Sequence, residues 1–438
     1  MLNRPYDSKN YKTLVLILLT LLYAFNFIDR QIVGILAPFF SEELGLNNTQ
    51  VGLLTGLAFA AFYTILGIPI AFLADRLNRV NIISIALATW SGFTALMGVT
   101  HNFTQMALVR MGVGIGEAGG SPPAHSIISD MYPKEERASA LAVYSLGIPF
   151  GITFAYFTVA AFLGKSADQV PWRQIFFTLG LAGLVLAVVL RLVLREPQRG
   201  AQEKQENQRL NTPPFSEALK ALLTIPAWWA MCLGIASASF VGYAFNAFQT
   251  KYLIPFDPSF NPRTLMFSLG LINGIAYAAG TYFGARFTDR MARKSVAAYG
   301  LVPAIAIAIA CPLAIAAFWA PSVALHLAII SFFVFFLGVY LGPSFAIAQT
   351  LAPINMRAMS TAIYFFILNM IAMGLGPLVT GLLADMFAKT HTQVEALRLA
   401  MTLTSLGLLV SAGFFLLAAK FLPRDWQSAQ ARNEGIET

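Results

Sequence analysis

Twelve apolar stretches of about twenty residues or more follow one another along the chain, and no other feature restricts its fold so strongly. They run approximately over 13–40, 49–74, 80–100, 103–129, 138–164 and 172–194, then over 226–256, 264–288, 295–319, 322–351, 357–385 and 395–422. The hydrocarbon core of a bilayer takes about 20 helical residues to cross. Lipid offers nothing to a backbone N–H or C=O, so segments this long must satisfy their own and are helices. The expected fold is therefore an all-α membrane protein of twelve transmembrane helices in two sets of six. Composition agrees: 57% of residues are hydrophobic and only 11% charged, where soluble domains carry about 25%. A net charge of +8 would suit a nucleic-acid binder if it lay along one face. Here the charges stand at the ends of the apolar stretches, which excludes a nucleic-acid partner and makes them topology signals.

With the N-terminus inside, 21 of the 29 Lys and Arg residues fall on the cytoplasmic side, 6 outside and 2 within spans. The positive-inside rule then places both termini in the cytoplasm, and the bacterial inner membrane is the expected location. Arg4, Lys9 and Lys12 precede an apolar run as in a signal peptide, but that run continues past Asp29-Arg30 to Phe40 with no small-residue cleavage site. It reads as a retained span. Residues 195–216 change character, with Arg195, Glu196, Arg199, Glu203, Lys204, Glu206 and Arg209 among Gln, Asn and Pro. This polar connection divides the chain into a first bundle over 1–194, a cytosolic linker over 195–225 and a second bundle over 226–438. Cys232 and Cys311 lie inside apolar runs without a CxxC or a Cys/His cluster, so they are core residues and no metal site or cofactor is expected. No Ser/His, HExxH or paired-Asp pattern points to an enzyme.

The two sets of six echo each other. Asp75-Arg76-Leu77-Asn78-Arg79 follows the second span and Asp289-Arg290-Met291-Ala292-Arg293 follows the eighth, as a duplicated six-helix unit would give. An acid at the C-terminal end of a helix opposes the macrodipole and needs a partner. Two readings fit these charges: a cytoplasmic gate that is made and broken, or topology signals alone.

The fourth span reads Arg110-Met111-Gly112-Val113-Gly114-Ile115-Gly116-Glu117-Ala118-Gly119-Gly120-Ser121-Pro122. Its glycines strip bulk from one side of the helix and permit close packing. Arg110 and Glu117 are seven residues apart, so they share a face and stand about 10 Å apart along the axis. The first span carries Asn26, Asp29 and Arg30 in its middle. Two acids and two arginines inside a bilayer are costly and mark a functional site by default. Asp29 and Glu117 are the candidate proton-coupling residues, and Arg30, Arg110 and Asn26 candidate substrate ligands; the alternative is a static ionic staple joining the two spans. The second set has no mid-span carboxylate. Asn246 and Gln249, one turn apart, are its candidate cavity residues, while His326 stands near a helix end as a packed residue or a pH-sensitive one.

The runs Asn26-Phe27-Ile28-Asp29-Arg30 and Arg110 to Gly120, together with Ser129-Asp130-Met131-Tyr132-Pro133-Lys134-Glu135-Glu136-Arg137-Ala138, resemble the spinster branch of the major facilitator superfamily. The Asp-Arg-x-x-Arg loops resemble that superfamily's repeated signature. The resemblance implies a carrier of lysophospholipids or sphingosine phosphate with the charges of the first and fourth spans as proton and headgroup site. It also implies a gate built from Asp75, Arg76, Arg79, Asp130, Arg137, Asp289, Arg290 and Arg293. A proton-coupled transporter of a small amphipathic anion, monomeric among membrane lipids, is the expectation. A hexuronate-like organic-anion/proton symporter is the alternative, because such symporters share Asp-Arg in the first span and a similar Gly-Glu-Ala in the fourth.

Overall fold

The computed structural model describes residues 8–74, 76–163, 170–199, 215–353 and 356–433, leaving aside the side chains of a few residues within them, among them Ala71, Lys134, Glu135 and Ala138. All the secondary structure described is helical. The first six spans are α1 (Lys9–Glu43), α2 (Asn48–Ala74), α3 (Arg79–Met97), α4 (Phe103–Glu117 continued by Ser121–Met131), α5 (Lys134–Ser145 continued by Gly147–Phe162) and α6 (Trp172–Val193). After a short linker helix, Phe215–Leu223, come α7 (Pro226–Phe256), α8 (Pro262–Ala292), α9 (Ala298–Phe318), α10 (Val323–Gly338 continued by Leu341–Thr350), α11 (Arg357–Leu368 through to Gly376–Phe387) and α12 (Gln393–Ser405 continued by Gly407–Asn433). By length and composition, eleven helical runs among the described residues suffice to cross a bilayer. The twelfth span is α4, which is broken into pieces of 15 and 11 residues, each too short to cross alone.

Several spans are faulted in mid-course, and the sequence gives a cause. Proline has no N–H to donate and its ring clashes with the carbonyl four residues back. Four residues before Pro122, Pro149, Pro343 and Pro377 stand Ala118, Ser145, Val339 and Met373, which lie at the breaks of α4, α5 and α10 and in the π-helical turn Asn369–Leu375 of α11. Pro38, Pro69, Pro303 and Pro312 remain within unbroken helix, so a proline permits the fault without dictating it. Most of the faults recur at equivalent places in the two sets of six: α4 and α10, α5 and α11, and also α2, broken at Gly56, and α8, which holds the π-helical turn Ile272–Ala276; the break of α12 at Leu406 has no counterpart in α6. Such turns collect at functional sites.

The chain divides into two units. One takes Met1–Asn207 with Gln249–Ile254 and Pro258–Gly270, the other Gln208–Phe248 with Pro255–Asp257 and Leu271–Thr438. Within the first, α1 packs on α5, α3 on α6, and α4 on both α2 and α3. Within the second, α9 packs on α12, and α10 on both α8 and α9. Gly376 of α11 meets the Phe240 carbonyl of α7. Each pairing in one unit thus has its counterpart six spans away in the other. In the first unit the glycines of α4 set the distances: a Cβ on Gly114 would lie 2.7 Å from the Phe59 carbonyl and one on Gly116 2.6 Å from the Trp90 amide. Backbone is therefore packed on backbone beside Glu117.

Both cysteines are buried and unbonded to each other. His326 is fully buried, with Nδ1 2.7 Å from the Ala317 carbonyl and its ring edge-on to Phe318, so it is a packed residue that ties α10 to the end of α9.

Candidate functional site

Asn26 and Arg30 are one turn apart on α1 and therefore reach in the same direction. Both end on the same atom. Asn26 Nδ2 donates to Glu117 Oε2 over 2.8 Å, and Arg30 Nε donates to it over 2.9 Å. Glu117 is wholly buried and the Arg30 side chain only 9% exposed. Glu117 closes the first piece of α4, where the helix dipole is negative and a carboxylate is unwelcome without a cation. Arg30 supplies that cation. Its guanidinium carbon stands 4.4 Å from the centre of the Tyr63 ring, 5.2 Å from Phe27 and 5.3 Å from Phe59. Three aromatic faces thus surround a charge that has left water, each contributing about 0.5–2 kcal/mol. The second carboxylate oxygen, Oε1, is buried without a hydrogen-bond partner.

Asp29 and Arg110 do not form a second ion pair. Asp29 points the other way from α1, and its Oδ1 accepts from Thr94 Oγ1 of α3 over 3.0 Å. Arg110, 1% exposed, donates from Nε to the Leu54 carbonyl and from an Nη atom to the backbone carbonyl of Asp29, both over 3.2 Å. The first acceptor exists because α2 breaks at Gly56, two residues on, and Leu54 lies in the last turn of its first piece. Phe59 lies under Arg110 as well, 4.4 Å from its guanidinium carbon. The quartet is therefore unequal. Of the two acids only Glu117 has an arginine within ion-pair distance, so protonating Asp29 would not leave an arginine unpaired. Thr94, Phe59 and Tyr63 belong to the site and were not singled out beforehand. A threonine and aromatic rings in an apolar span carry no signal that separates them from packing.

In the second set of six spans the corresponding region holds hydroxyls, and among the described residues no charge stands there in mid-span. Tyr340, beside the break in α10, shares a 2.8 Å hydrogen bond with Ser239 of α7. Asn246 is half-buried and Gln249 buried on α7.

At the far ends of the spans the two Asp-Arg-x-x-Arg segments differ. Asp75 lies outside the described residues. Arg79 is fully buried and spends its donors on four groups: Nε on Glu196 (2.6 Å), one Nη on Ser126 (2.7 Å) and on Asp130, the other on the Pro197 carbonyl (2.9 Å). Glu196 also accepts from the Val80 amide at the N-terminus of α3 (3.2 Å). Arg199 closes the strap, donating to the Ala74 and Leu77 carbonyls at the end of α2. Arg137 donates to the Ser129 carbonyl (2.7 Å), and Arg76 is exposed over the Phe72 ring (4.1 Å). The structure therefore joins Arg79 to Asp130 and leaves Arg76 and Arg137 outside that contact. At the C-terminal end of α8, Asp289 accepts from Tyr299 Oη (3.0 Å), and Arg290 and Arg293 are exposed. Glu196 is a residue that sequence reading took for a solvated linker charge.

A sequence profile of the Major Facilitator Superfamily matches residues 19–377. An MFS-type efflux pump of Mycolicibacterium smegmatis is 28% identical over 376 residues, which cover 84% of this chain and 83% of that one. A probable L-galactonate transporter of Escherichia coli is 27% identical over 306 residues, 68% of this chain and 66% of that one. The crystal structure of a bacterial homologue of the human lysosomal transporter spinster, inward-facing and unoccupied, is 30% identical and superposes with a TM-score of 0.86, covering 95% of this chain and 99% of the other.

Proposed function

Because the chain belongs to the Major Facilitator Superfamily, and within it to the spinster branch, its work is transport across a membrane; we propose that it is a proton-coupled secondary carrier of an amphipathic anion such as a lysophospholipid or sphingosine phosphate, operating by alternating access. The observation that carries this reading is the single contact between Arg30 and Glu117. With Glu117 ionised, Arg30 is held by a carboxylate of the protein and is closed to any other anion. A proton on Glu117, at the unpartnered Oε1, removes that competing charge. The guanidinium then needs a new counter-ion, because an unpaired buried charge costs several kcal/mol, about 3–5. An anionic headgroup supplies it, and the rings of Phe27, Phe59 and Tyr63 receive the apolar part nearest the headgroup. Proton and anion thus bind together, which is the elementary condition for symport. Asp29, held by Thr94, is the second proton site in this account. Arg110 keeps α1 and α2 on α4 through their backbone carbonyls. Arg79 and Asp130 form a latch on the cytoplasmic side, with both termini in the cytoplasm and the bacterial inner membrane as the location, as the distribution of Lys and Arg supports.

A second reading, a sugar-acid carrier, draws on the resemblance to the L-galactonate transporter. It uses the same arginine and differs in what lies behind the carboxylate or phosphate. Uptake by the purified protein in proteoliposomes separates the two. The lipid reading expects lysophosphatidylglycerol or sphingosine phosphate to be moved under an inward proton gradient and galactonate to be ignored. Movement of galactonate with no competition from either lipid would replace it with the second reading.

A further inference from the structure

We propose that a groove on the outer side of α8, α9 and α10 binds one anionic phospholipid, with an acyl chain between the helices and the headgroup on Arg290 and Arg286. The site is separate from the Arg30–Glu117 centre and does not rest on the transport reading.

The groove arises from packing. Gly280 and Gly284 draw α8 onto α10 so closely that a Cβ on Gly280 would overlap the Phe335 carbonyl and one on Gly284 would lie 2.7 Å from the Val339 Cα. With these two helices at backbone distance, the longer side chains of α9 form a facing wall, and a cleft of about 320 Å3 remains. That volume lies within the roughly 300–1,000 Å3 of small-molecule sites. Phe283 and Phe287 of α8 form one side, Ile305 and Ile309 of α9 the other, and Phe336 and Val339 of α10 the floor. Phe283, Phe287 and Ile305 are each more than half exposed, so the cleft opens away from the bundle.

An apolar cleft in a membrane gains little by exchanging one lipid tail for another, since tails are as apolar as the side chains. Selectivity must come from its end. Phe283, Phe287 and Arg290 follow at i, i+4 and i+7 and form one stripe on α8, and Arg290 stands about 4.5 Å further along the axis than Phe287. Lys294 lies just past the end of α8, and Arg286 flanks the stripe, donating to Tyr282 Oη over 3.2 Å. Residues 286–294 contain four cations and one carboxylate, Asp289, which accepts from Tyr299. Arg286, Arg290, Arg293 and Lys294 are all exposed. In the cognate segment after α2, Arg76 stands in the place of Arg290 and is exposed over the Phe72 ring, while Arg79, in the place of Arg293, is consumed internally. An apolar slot closed by a cationic end fits a phosphodiester with an acyl chain and one net negative charge. It does not fit a zwitterion, whose choline would meet the arginines.

Native mass spectrometry of the full-length protein in detergent, with phosphatidylglycerol and phosphatidylcholine of matched chains in equal amounts, tests this. The wild type should retain one phosphatidylglycerol in preference to phosphatidylcholine. Arg286→Ala and Arg290→Ala should each lower that preference about fivefold, the size expected for one basic residue at an anionic membrane surface. Ile305→Trp, which fills the slot without touching the charges, should lower retention of both lipids. All three changes lie on the exposed surface, and unchanged thermal unfolding shows that the fold is intact. Equal retention of the two lipids by the wild type, or an undiminished preference in the Arg286→Ala/Arg290→Ala double variant, would overturn the proposal and leave only non-selective annular lipid. Wild-type retention of both lipids by Ile305→Trp would overturn the placement of the acyl chain.

Discussion

The two halves share a helix order, a set of mid-span faults and an Asp-Arg-x-x-Arg segment, yet they spend their charges in opposite ways. In the first, the mid-span region holds Asp29, Arg30, Arg110 and Glu117, and the segment after α2 buries Arg79 under Glu196 and Asp130. In the second, the mid-span region is hydroxylic, and Arg290 and Arg293 stand in the open. A duplicated scaffold therefore repeats most of its helix breaks, at places where proline or glycine permits them. It does not fix where charge is buried, because a buried charge survives only where every partner is present at once. The first half carries the coupling chemistry in this account, and the second gives it an uncharged counterpart.

The largest effect that sharpens this contrast is expected from Arg30→Ala. It leaves Glu117 buried without its cation, which should cost about 3–5 kcal/mol and abolish transport. The double variant Arg30→Met/Glu117→Leu should recover most of the stability, seen as a restored melting temperature in detergent, and none of the transport. Recovery of transport would show that the charges are not the coupling element. Arg79→Ala comes next: four donor contacts are lost, two of them to carboxylates that are partly exposed, so a loss of about 2–3 kcal/mol is expected. Arg293→Ala, at the equivalent place in the second half, should stay within about 0.5 kcal/mol. Thermal unfolding of the pair measures the asymmetry directly, and equal losses would break it.

Smaller again is Thr94→Val. Removing the hydroxyl that donates to Asp29 should cost about 1 kcal/mol and shift the pH profile of uptake while leaving the Arg30–Glu117 contact in place. An unaltered profile would take Asp29 out of the proton pathway. Smallest is Asp289→Asn, which keeps an acceptor for Tyr299 and should change neither melting nor uptake measurably.

The fold was legible because lipid admits one solution for long apolar segments, and the duplicated loop exposed the repeat. The four mid-span charges were legible for a related reason: an ionisable group in an apolar run is too costly to be incidental. Their pairing was not legible. It depends on the rotation of α1, which sends Asn26 and Arg30 to α4 and Asp29 to α3. It depends also on the break at Gly56, beside the carbonyl that Arg110 uses. Phe59 and Tyr63 were hidden among 36 phenylalanines and 14 tyrosines, and the anchoring role of Glu196 needs the return of the chain to α3, which no local pattern announces.

The central claim is that the proton and the anion bind together through one carboxylate, Glu117, which competes with the anion for Arg30 until it is protonated. Glu117→Gln keeps the shape of the side chain and an acceptor for Arg30 and Asn26 but can neither carry the charge nor take the proton. In proteoliposomes, the account predicts that this variant still binds the anionic substrate and exchanges it across the membrane, while the acceleration of net uptake by an imposed pH difference, present in the wild type, is gone. Acceleration as large in Glu117→Gln as in the wild type would contradict the account and reduce the Arg30–Glu117 pair to a structural staple.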